Sequence, residues 1–576
     1  MEELLLNKPN KKIILLGNEA IVRGALEAGV NFVSTYPGTP ASEIGNVFYQ
    51  IAKKTGVYFE FSTNEKVAME AAAGASFSGL RSLVAMKNFG VNVASDFLLP
   101  LAYSGTKGGM VIFVADDPSC WSSAQSEQNT RLYANMAHIP LLEPSTPQEC
   151  KDFLKLAFEL SEKFETPVII RTTTRASHQS GIVKLGEIKR KNKKGEFVKD
   201  FKKFVTMPPR VLEMKRELLQ KMEEIKKVAE KSDLNSVKNQ GKAKIGILTS
   251  GVSYLYVMES LKELNLKLPV LKLSFVYPLP EKKIKNFIRI LKKLLVVEEL
   301  EPYLEREVKI LAKEVNPKLE VLGKEGQPIE GGRIWKERKA ILPVIGELKP
   351  EYVLLAVSRI SGKKPKVNLR AHLEKFSKVK IPPRLPIFCT PVTVPGRPPC
   401  PYWSVFSAIK KVVDFKNIIF GGEIGCYMMA GNPAVGLQDY LYCMGSSTGI
   451  AHGISKATGQ KIITFVGDSS FFHAGIPGLI NTVFNKSNPL IIIFDNQTTA
   501  MTGHQPNPGV GKRPEEDKVE PIKIEDIVRA CGVKNVKVID QVTNLKEFEE
   551  TLKEFLEKKE TSVIVARHPC IFVKKP

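Results

Sequence analysis

Short, uniformly apolar runs recur along this chain, and longer amphipathic segments separate them. Lys12–Leu16, Phe32–Tyr36, Leu83–Met86, Met110–Ala115 and Val168–Arg171 read as strands of one α/β domain over residues 1–180. Val57–Ser62 is strand-like as well, and an Ala-rich helix, Lys66–Ser78, follows it. Residues 181–240 are Lys-rich and polar; within them Arg210–Lys231 has helical periodicity and reads as a connector helix, not as core. A second α/β unit spans 241–365, with strands at Ala243–Leu248, Val270–Leu273 and Leu294–Val297. Gly251, between the first of these strands and a helix, suits an anion or a tight turn. The Pro-rich join Pro382–Pro401 lies at the start of a last domain, 366–576.

That last domain holds the most informative stretch. The apolar run Ile462–Val466 ends in Gly467-Asp468, and Leu490–Phe494 ends in Asp495-Asn496. A crossover helix near Gly475–Asn485 makes the pair a βαβ unit with parallel strands. Ligands collect beyond the carboxyl ends of such strands, so Asp468 and Asn496 are expected to converge. A hard divalent ion such as Mg²⁺ takes oxygen ligands and shares them with phosphates. Asp468 offers a carboxylate, Asn496 an amide oxygen, and the backbone near Thr498 a carbonyl. Gly467 and Ser469 are small enough to admit a diphosphate, and Gly445-Ser446-Ser447 precedes a helix whose N–H groups suit phosphate oxygens. The plainer alternative is that Asp468 and Asn496 cap turns; an apolar strand before each weighs against it.

Composition narrows the class. The length of 576 residues suits three or four domains, and 43% hydrophobic with 25% charged residues is ordinary for a globular protein. No run is long and apolar enough to span a membrane, and the start MEELLLNKPNKK has no signal layout. The eight cysteines form no regular framework, which suits a reducing cytoplasm. The net charge of +23 raises nucleic acid as a ligand. The excess is spread out, densest in Lys184–Lys244, and no aromatic interleaving or binding motif accompanies it, so nucleic acid is not expected. Charge of this kind also occurs on hyperthermophile surfaces and attracts acidic electron carriers.

The stretch GDSSFFHAGIPGLINTVFNKSNPLIIIFDNQTTAMTGHQ resembles the large subunits of indolepyruvate ferredoxin oxidoreductases, which are thiamine diphosphate-dependent 2-oxoacid:ferredoxin oxidoreductases. TYPGTPASEI, NEKVAMEAAAGAS, VADDPSCWSSAQSEQNTR, RTTTRASH and VVEELEPYLEREVK extend the resemblance over most of the chain. It implies a multi-domain α/β fold: two doubly wound thiamine-binding domains, one for the pyrimidine (1–180) and one for the diphosphate and Mg²⁺ (366–576), with a transketolase-carboxyl-terminal-like domain at 241–365. Such chemistry needs a carboxylate sharing a proton with the aminopyrimidine. Glu65, after the strand-like segment, is the candidate; read as a residue alone, it is equally a helix-start Glu behind the Asn64 cap. The resemblance implies the activating role. It also implies that Thr39 faces the substrate carbonyl, with a turn residue as the alternative, and that Asp495 sits near the cofactor. His473 is placed to contact cofactor or substrate, or else to pack. Lys87 and Asn92, after a strand, are expected to face the pocket.

Two departures from the family stand out. After Arg567-His568-Pro569-Cys570 no ferredoxin-like C-x-x-C run follows, so its clusters are expected on a separate subunit. Where the family shows CPGCPHR, this chain has RPPCPYW, so only Cys400 is kept there; Cys426 and Cys570 match two further cluster positions, and Cys389 is the substitute fourth ligand. A [4Fe–4S] cluster requires four thiolates; the alternative is buried free thiols. The reading is a cytoplasmic oxidoreductase subunit that decarboxylates an arylpyruvate-like 2-oxoacid to its acyl-CoA, pairs with a smaller second subunit, passes electrons to ferredoxin and dimerises. The alternatives are a non-oxidative decarboxylase or carboligase on the same scaffold, and a non-catalytic assembly subunit.

Overall fold

The computed structural model describes residues 2–122, 125–189, 194–241, 243–325, 341–366, 399–415, 417–513 and 519–573. They fall into two units: Met1–Glu60 with Glu65–Lys380, and Phe61–Asn64 with Ile381–Pro576. Among the described residues no helix is long and apolar enough to cross a membrane.

The first unit is built on a seven-stranded sheet whose centre is parallel: Val168–Thr173, Met110–Asp116, Ser82–Lys87 and Phe32–Thr35 run side by side. Every residue of Met110–Asp116 is buried, as expected of a strand covered on both faces. Helices Glu65–Phe77 and Asn88–Ser104 pack together beside it. Lys12–Leu16 is a strand, but not of this sheet. It pairs antiparallel with Ser180–Lys184, and its outward residue Ile14 is 70% exposed, so the run alternates where the sheet strands do not.

The middle of the chain forms a second sheet. Glu320–Leu322, Lys293–Val297, Ile245–Ser250 and Val270–Leu273 are parallel, and Ser236–Lys238 closes one edge antiparallel. The chain then crosses over: Phe275–Tyr277 leaves this sheet and pairs antiparallel with Leu141–Leu142 at the edge of the first. Gly251 makes a tight turn at φ +53°; a Cβ there would lie 3.3 Å from Glu143 Oε2, so a carboxylate of the chain already faces it and the anion reading falls. The helix Arg210–Lys231 begins and ends as its periodicity predicts, but it is not a mere connector. Met214, Leu218, Met222, Ile225 and Ala229 form a buried stripe, and the helix packs on Asn88–Ser104.

Where the two sheets of this unit meet, buried charges join them. Arg131 Nη1 reaches Glu298 (2.8 Å) and its Nη2 reaches Glu143 and Ser250 (2.8 Å each). Arg171 reaches Asp116 (2.6 Å) and Glu143 (2.9 Å). Despite burial, the two guanidinium groups hold Glu143 down to about 2. Asp116, Glu143, Glu298, Glu299, Glu305 and Glu347 are all buried, and with Arg131, Arg171 and Lys324 buried among them the carboxylates outnumber the buried cations. Burial pushes Asp116 and Glu298 up, and it takes Glu299 up to about 7 against the pull of Lys324. The folded value lies above the ordinary 4.5, so the associated stability is full below about 4.5 and is lost as pH rises through 7. Glu299→Gln is expected to flatten the decline in melting temperature between pH 5 and pH 8. The difference from wild type should reach roughly 2–3 kcal/mol. Parallel melting curves for the two proteins across that range would reject this assignment.

The second unit is an all-parallel sheet of six strands, in the order Tyr440–Tyr442, Ile418–Glu423, Lys461–Gly467, Leu490–Asp495, Ser562–Arg567, Asn535–Ile539. Alternation within the buried strands feeds two cores. Phe465, Ile492, Phe494 and Ile564 join Tyr402, Phe406 and Tyr427 on one face. Val466, Ile491, Ile493, Val563 and Val565 join Phe471 and Leu479 on the other. From Ile418–Glu423 the chain turns one way to Tyr440–Tyr442 and then the other way to Lys461–Gly467. The crevice between the last residues of Ile418–Glu423 and Lys461–Gly467 is thus the topological switch point, where such sheets bind ligands.

Candidate functional site

Asp468 follows its strand directly at this switch point and is 4% exposed. Its neighbour strand is in parallel register, with Gly467 opposite Phe494, so the Asp495-Asn496 pair ends beside it. Ser469 N donates to Asp468 Oδ1 at 2.7 Å, and Asn507 Nδ2 donates to Oδ2 at 3.1 Å. Thr498 N donates to Asn496 Oδ1 at 3.1 Å and is also turned toward the Asp468 carboxylate. The structure therefore brings Asp468, Asn496 and Thr498 together. Burial, and next the charge of Asp495, push Asp468 up to about 7. A buried carboxylate so destabilised, beside the Asn496 amide oxygen, offers the oxygen ligands a hard cation takes, whereas the Thr498 group turned to them is an N–H and not a ligand. Gly467 is required here: a Cβ would come within 2.9 Å of the Tyr427 ring.

The turn after Asp468 is compact. Asp468–Ser470 is a single helical turn, Phe471–Gly475 is a π-turn, and Ile476–Phe484 is the crossover helix. Local π geometry inside helices is frequent at functional sites. His473 sits in it, buried. Asp495 is turned the other way, with Oδ2 2.6 Å from Arg567 Nε, and Arg567 in turn grips Glu525 at 2.6 Å. Its carboxylate is committed to that pair, and its effect on the site is the charge it places near Asp468.

Gly445-Ser446-Ser447 does open a helix, Ser446–Thr458, with Gly445 at φ +81°. Its N–H groups are already taken, however. Ser447 N donates to Glu423 Oε2 at 3.0 Å, Gly445 N is turned to the same carboxylate, and Ser446 N donates to the Cys443 carbonyl at 3.1 Å. A buried carboxylate at a helix amino terminus is electrostatically favoured, so the phosphate cradle expected there is filled by Glu423. Tyr427 Oη donates to Glu423 Oε1 at 3.1 Å. Burial nonetheless pushes the Glu423 carboxyl up. Glu423, Tyr427 and Asn507 were not expected at the site; only the order of the strands shows that Glu423 shares the switch point with Asp468.

The cysteines are partly placed. Cys400 and Cys426 pack against the aromatic core and both lie within electrostatic reach of the buried Tyr402 hydroxyl. Cys570 N donates to the Asn496 carbonyl at 3.0 Å, which sets it at the same sheet edge. Cys389 lies outside the described residues. Among the described residues no three Cys, His, Asp or Glu side chains converge on a metal position.

In the first unit Glu65 is the first residue of its helix and is 5% exposed. Gly90 lies against it: a Cβ there would fall 2.6 Å from Glu65 Cγ and 3.0 Å from Oε1. The Thr39 hydroxyl is 3.3 Å from Ser42 Oγ, and the Thr39 carbonyl accepts from Ser122 Oγ at 2.7 Å, so this loop is pinned from both sides. Lys87 ends its strand with its stem against Gly38. Asn92 does not face a pocket. It is exposed on the helix and bonded to the Tyr133 hydroxyl, because helical spacing carries it away from the strand end.

Comparison with known proteins follows the same division. Residues 23–240 match the family "pyruvate flavodoxin/ferredoxin oxidoreductase, thiamine diP-binding", 235–380 match "indolepyruvate oxidoreductase domain", and 423–566 match "thiamine pyrophosphate enzyme, C-terminal TPP binding domain". The indolepyruvate oxidoreductase subunit IorA of Methanothermobacter thermautotrophicus is 44% identical over 99% of this chain and 89% of its own length. Its namesake in Pyrococcus horikoshii is 41% identical over 98% and 87%, and that of Archaeoglobus fulgidus 40% identical over 99% and 88%.

Proposed function

From the premise that the chain belongs to the IorA family of indolepyruvate oxidoreductase subunits, we propose that it oxidises an arylpyruvate in partnership with a smaller second subunit. It is a thiamine diphosphate-dependent 2-oxoacid oxidoreductase subunit. The reaction converts the 2-oxoacid anion and coenzyme A thiol to acyl-CoA, CO₂, one proton and two electrons. The electrons pass one at a time to ferredoxin, by way of the partner. The observation that carries this reading is the convergence of buried Asp468 with Asn496 and Thr498 at the switch point of a parallel sheet.

The cofactor, when bound, supplies the electron sink for loss of CO₂. The protein supplies the rest. The Asp468 carboxylate and the Asn496 amide oxygen, joined by a Thr498 carbonyl, would be the protein's ligands to Mg²⁺, which would supply the positive charge that the diphosphate requires. The Gly467–Ser469 turn lets the phosphates approach the backbone. Glu65 holds a proton at the aminopyrimidine ring nitrogen, and its buried position keeps water from competing. In the first unit Thr39 is the polar group offered to substrate; in the second, His473 lies in the π-turn that follows Asp468.

The test is anaerobic turnover of the chain co-purified with its second subunit. Dye or ferredoxin reduction should require an arylpyruvate, coenzyme A, thiamine diphosphate and Mg²⁺ together. Aldehyde release that ignores coenzyme A and reduces no acceptor would replace this reading with non-oxidative decarboxylation. A second expectation concerns Gly90. Gly90→Ala forces the Glu65 carboxylate from its place, so turnover should fall at least about tenfold while cofactor affinity holds. Unchanged turnover would show that the position of Glu65 is not critical.

A further inference from the structure

The turn that carries Thr39 runs from the strand Phe32–Thr35 to the helix Ser42–Thr55. Three successive carbonyls of this turn accept hydrogen bonds. The Gly38 carbonyl accepts from Ala41 N at 2.8 Å, within the turn itself. The Thr39 carbonyl accepts from Ser122 Oγ at 2.7 Å, and the Pro40 carbonyl accepts from Asn18 Nδ2 at 2.7 Å. The turn is packed tightly as well: a Cβ on Gly38 would meet Lys87 Cγ at 2.9 Å.

Of the two ties from outside the turn, Asn18 is the one that comes from a regular element. It is the second residue of the helix Gly17–Ala28 and is wholly buried. That end of the helix has a fixed seat, because a Cβ on Gly17 would run into the Ala176 carbonyl. A primary amide has two N–H donors. One goes to the Pro40 carbonyl, and the other goes to Glu43 Oε2 at 2.7 Å. Glu43 lies in the first turn of the helix that leaves the Thr39 turn, where the helix dipole favours a carboxylate. His178 Nε2 stands 3.3 Å from the same oxygen. Burial raises the Glu43 carboxyl, yet the His178 bond helps to hold it below its ordinary value, so it stays a charged acceptor. One amide thus ties both the turn and the helix after it to Gly17–Ala28. An aspartate in its place would set an oxygen against two acceptors, and a leucine of similar size would offer no donor.

We propose that Asn18 is a positioning residue of the reaction: it holds the turn so that the Thr39 hydroxyl meets the 2-oxo group, and it acts through Thr39 without touching substrate. The inference rests on the 2-oxoacid reading above, in which Thr39 is offered to substrate. A polar group on a backbone tied in this way faces the reacting carbonyl without reorganising, and a small displacement of it costs rate.

The test uses the complex with its second subunit, loaded with thiamine diphosphate and Mg²⁺. Asn18→Leu should lower kcat/KM for phenylpyruvate about 10- to 100-fold, with affinity for thiamine diphosphate unchanged. In a Thr39→Val background the same substitution should cost less than about threefold, because the group it positions is gone. A residue that only supports the fold would cost the same factor in both backgrounds. Equal losses in the two backgrounds, or an unchanged kcat/KM in Asn18→Leu, would overturn the inference. If Asn18→Leu does not fold, Glu43→Met and Glu43→Gln replace it at a half-buried side chain. The methionine removes the acceptor that orients the Asn18 amide and should cost about three- to tenfold, whereas the glutamine keeps an oxygen there and should retain most of the activity. Equal rates in these two variants would overturn the inference. Wild-type turnover in Thr39→Val would overturn it too and leave the 2-oxoacid reading intact. A wild-type complex that turns over no 2-oxoacid would remove both.

Discussion

Asp468→Ala is expected to abolish Mg²⁺-dependent binding of thiamine diphosphate without harming the empty protein. The two halves of that result have one cause. With no cation present, the Asp468 carboxylate is buried and lies near the charge of Asp495, which together push it up to about 7. Removing it deletes a group the fold itself disfavours, so the cofactor-free variant should melt within a few degrees of wild type. With the cation present, the same carboxylate is the one anionic ligand of the proposed set. Groups that merely orient metal ligands are worth about 10–100-fold in affinity, so losing the ligand itself should cost more than about 100-fold. Calorimetry with thiamine diphosphate and Mg²⁺ reads the affinity directly. Melting curves give an independent check: saturating cofactor should raise the wild-type midpoint and leave the variant's unmoved. A variant that binds the cofactor as wild type does would exclude Asp468 from the metal site.

Glu65→Gln should behave in the opposite way. The substitution keeps the shape that packs against Gly90 and keeps a hydrogen-bonding end. It removes only the capacity to share a proton with the cofactor ring. Cofactor affinity should therefore change little, while turnover falls by about 10²- to 10⁴-fold, the range of a lost acid–base group. The helix-start alternative expects something else: loss of a carboxylate at the first turn would lower stability slightly and leave turnover alone. Turnover and melting temperature of the same preparation separate the two roles.

How far the chain could be read in advance depended on what each feature needed. Lys461–Gly467 and Leu490–Asp495 were legible because buried parallel strands are continuous apolar runs, and the residue that ends such a run can be named from its letters. Lys12–Leu16 was legible as a strand but not in its partner, since an exposed Ile14 looks the same in sequence as a buried one. The stripe on Arg210–Lys231 was visible as periodicity, yet its polar face suggested a connector. Glu423 was hidden for a different reason. In GGEIGC it is simply the end of a strand; it becomes a filled helix terminus only when the chain, 24 residues on, supplies the N–H of Ser447. Asn507 and the Arg131–Glu298 pair are likewise joined across 39 and 167 residues, distances over which neither periodicity nor motif spacing carries information.

The crossing strand Phe275–Tyr277 bears on how this protein is made. During synthesis from the amino terminus, Leu141–Leu142 emerges well before the segment that will cover its outer side. Until Tyr277 has left the ribosome, the first sheet exposes an unpaired edge, and unpaired edges invite pairing with other chains. The sheet that carries Glu65 is therefore not finished when its own central strands are, and its completion is timed by the appearance of the second sheet.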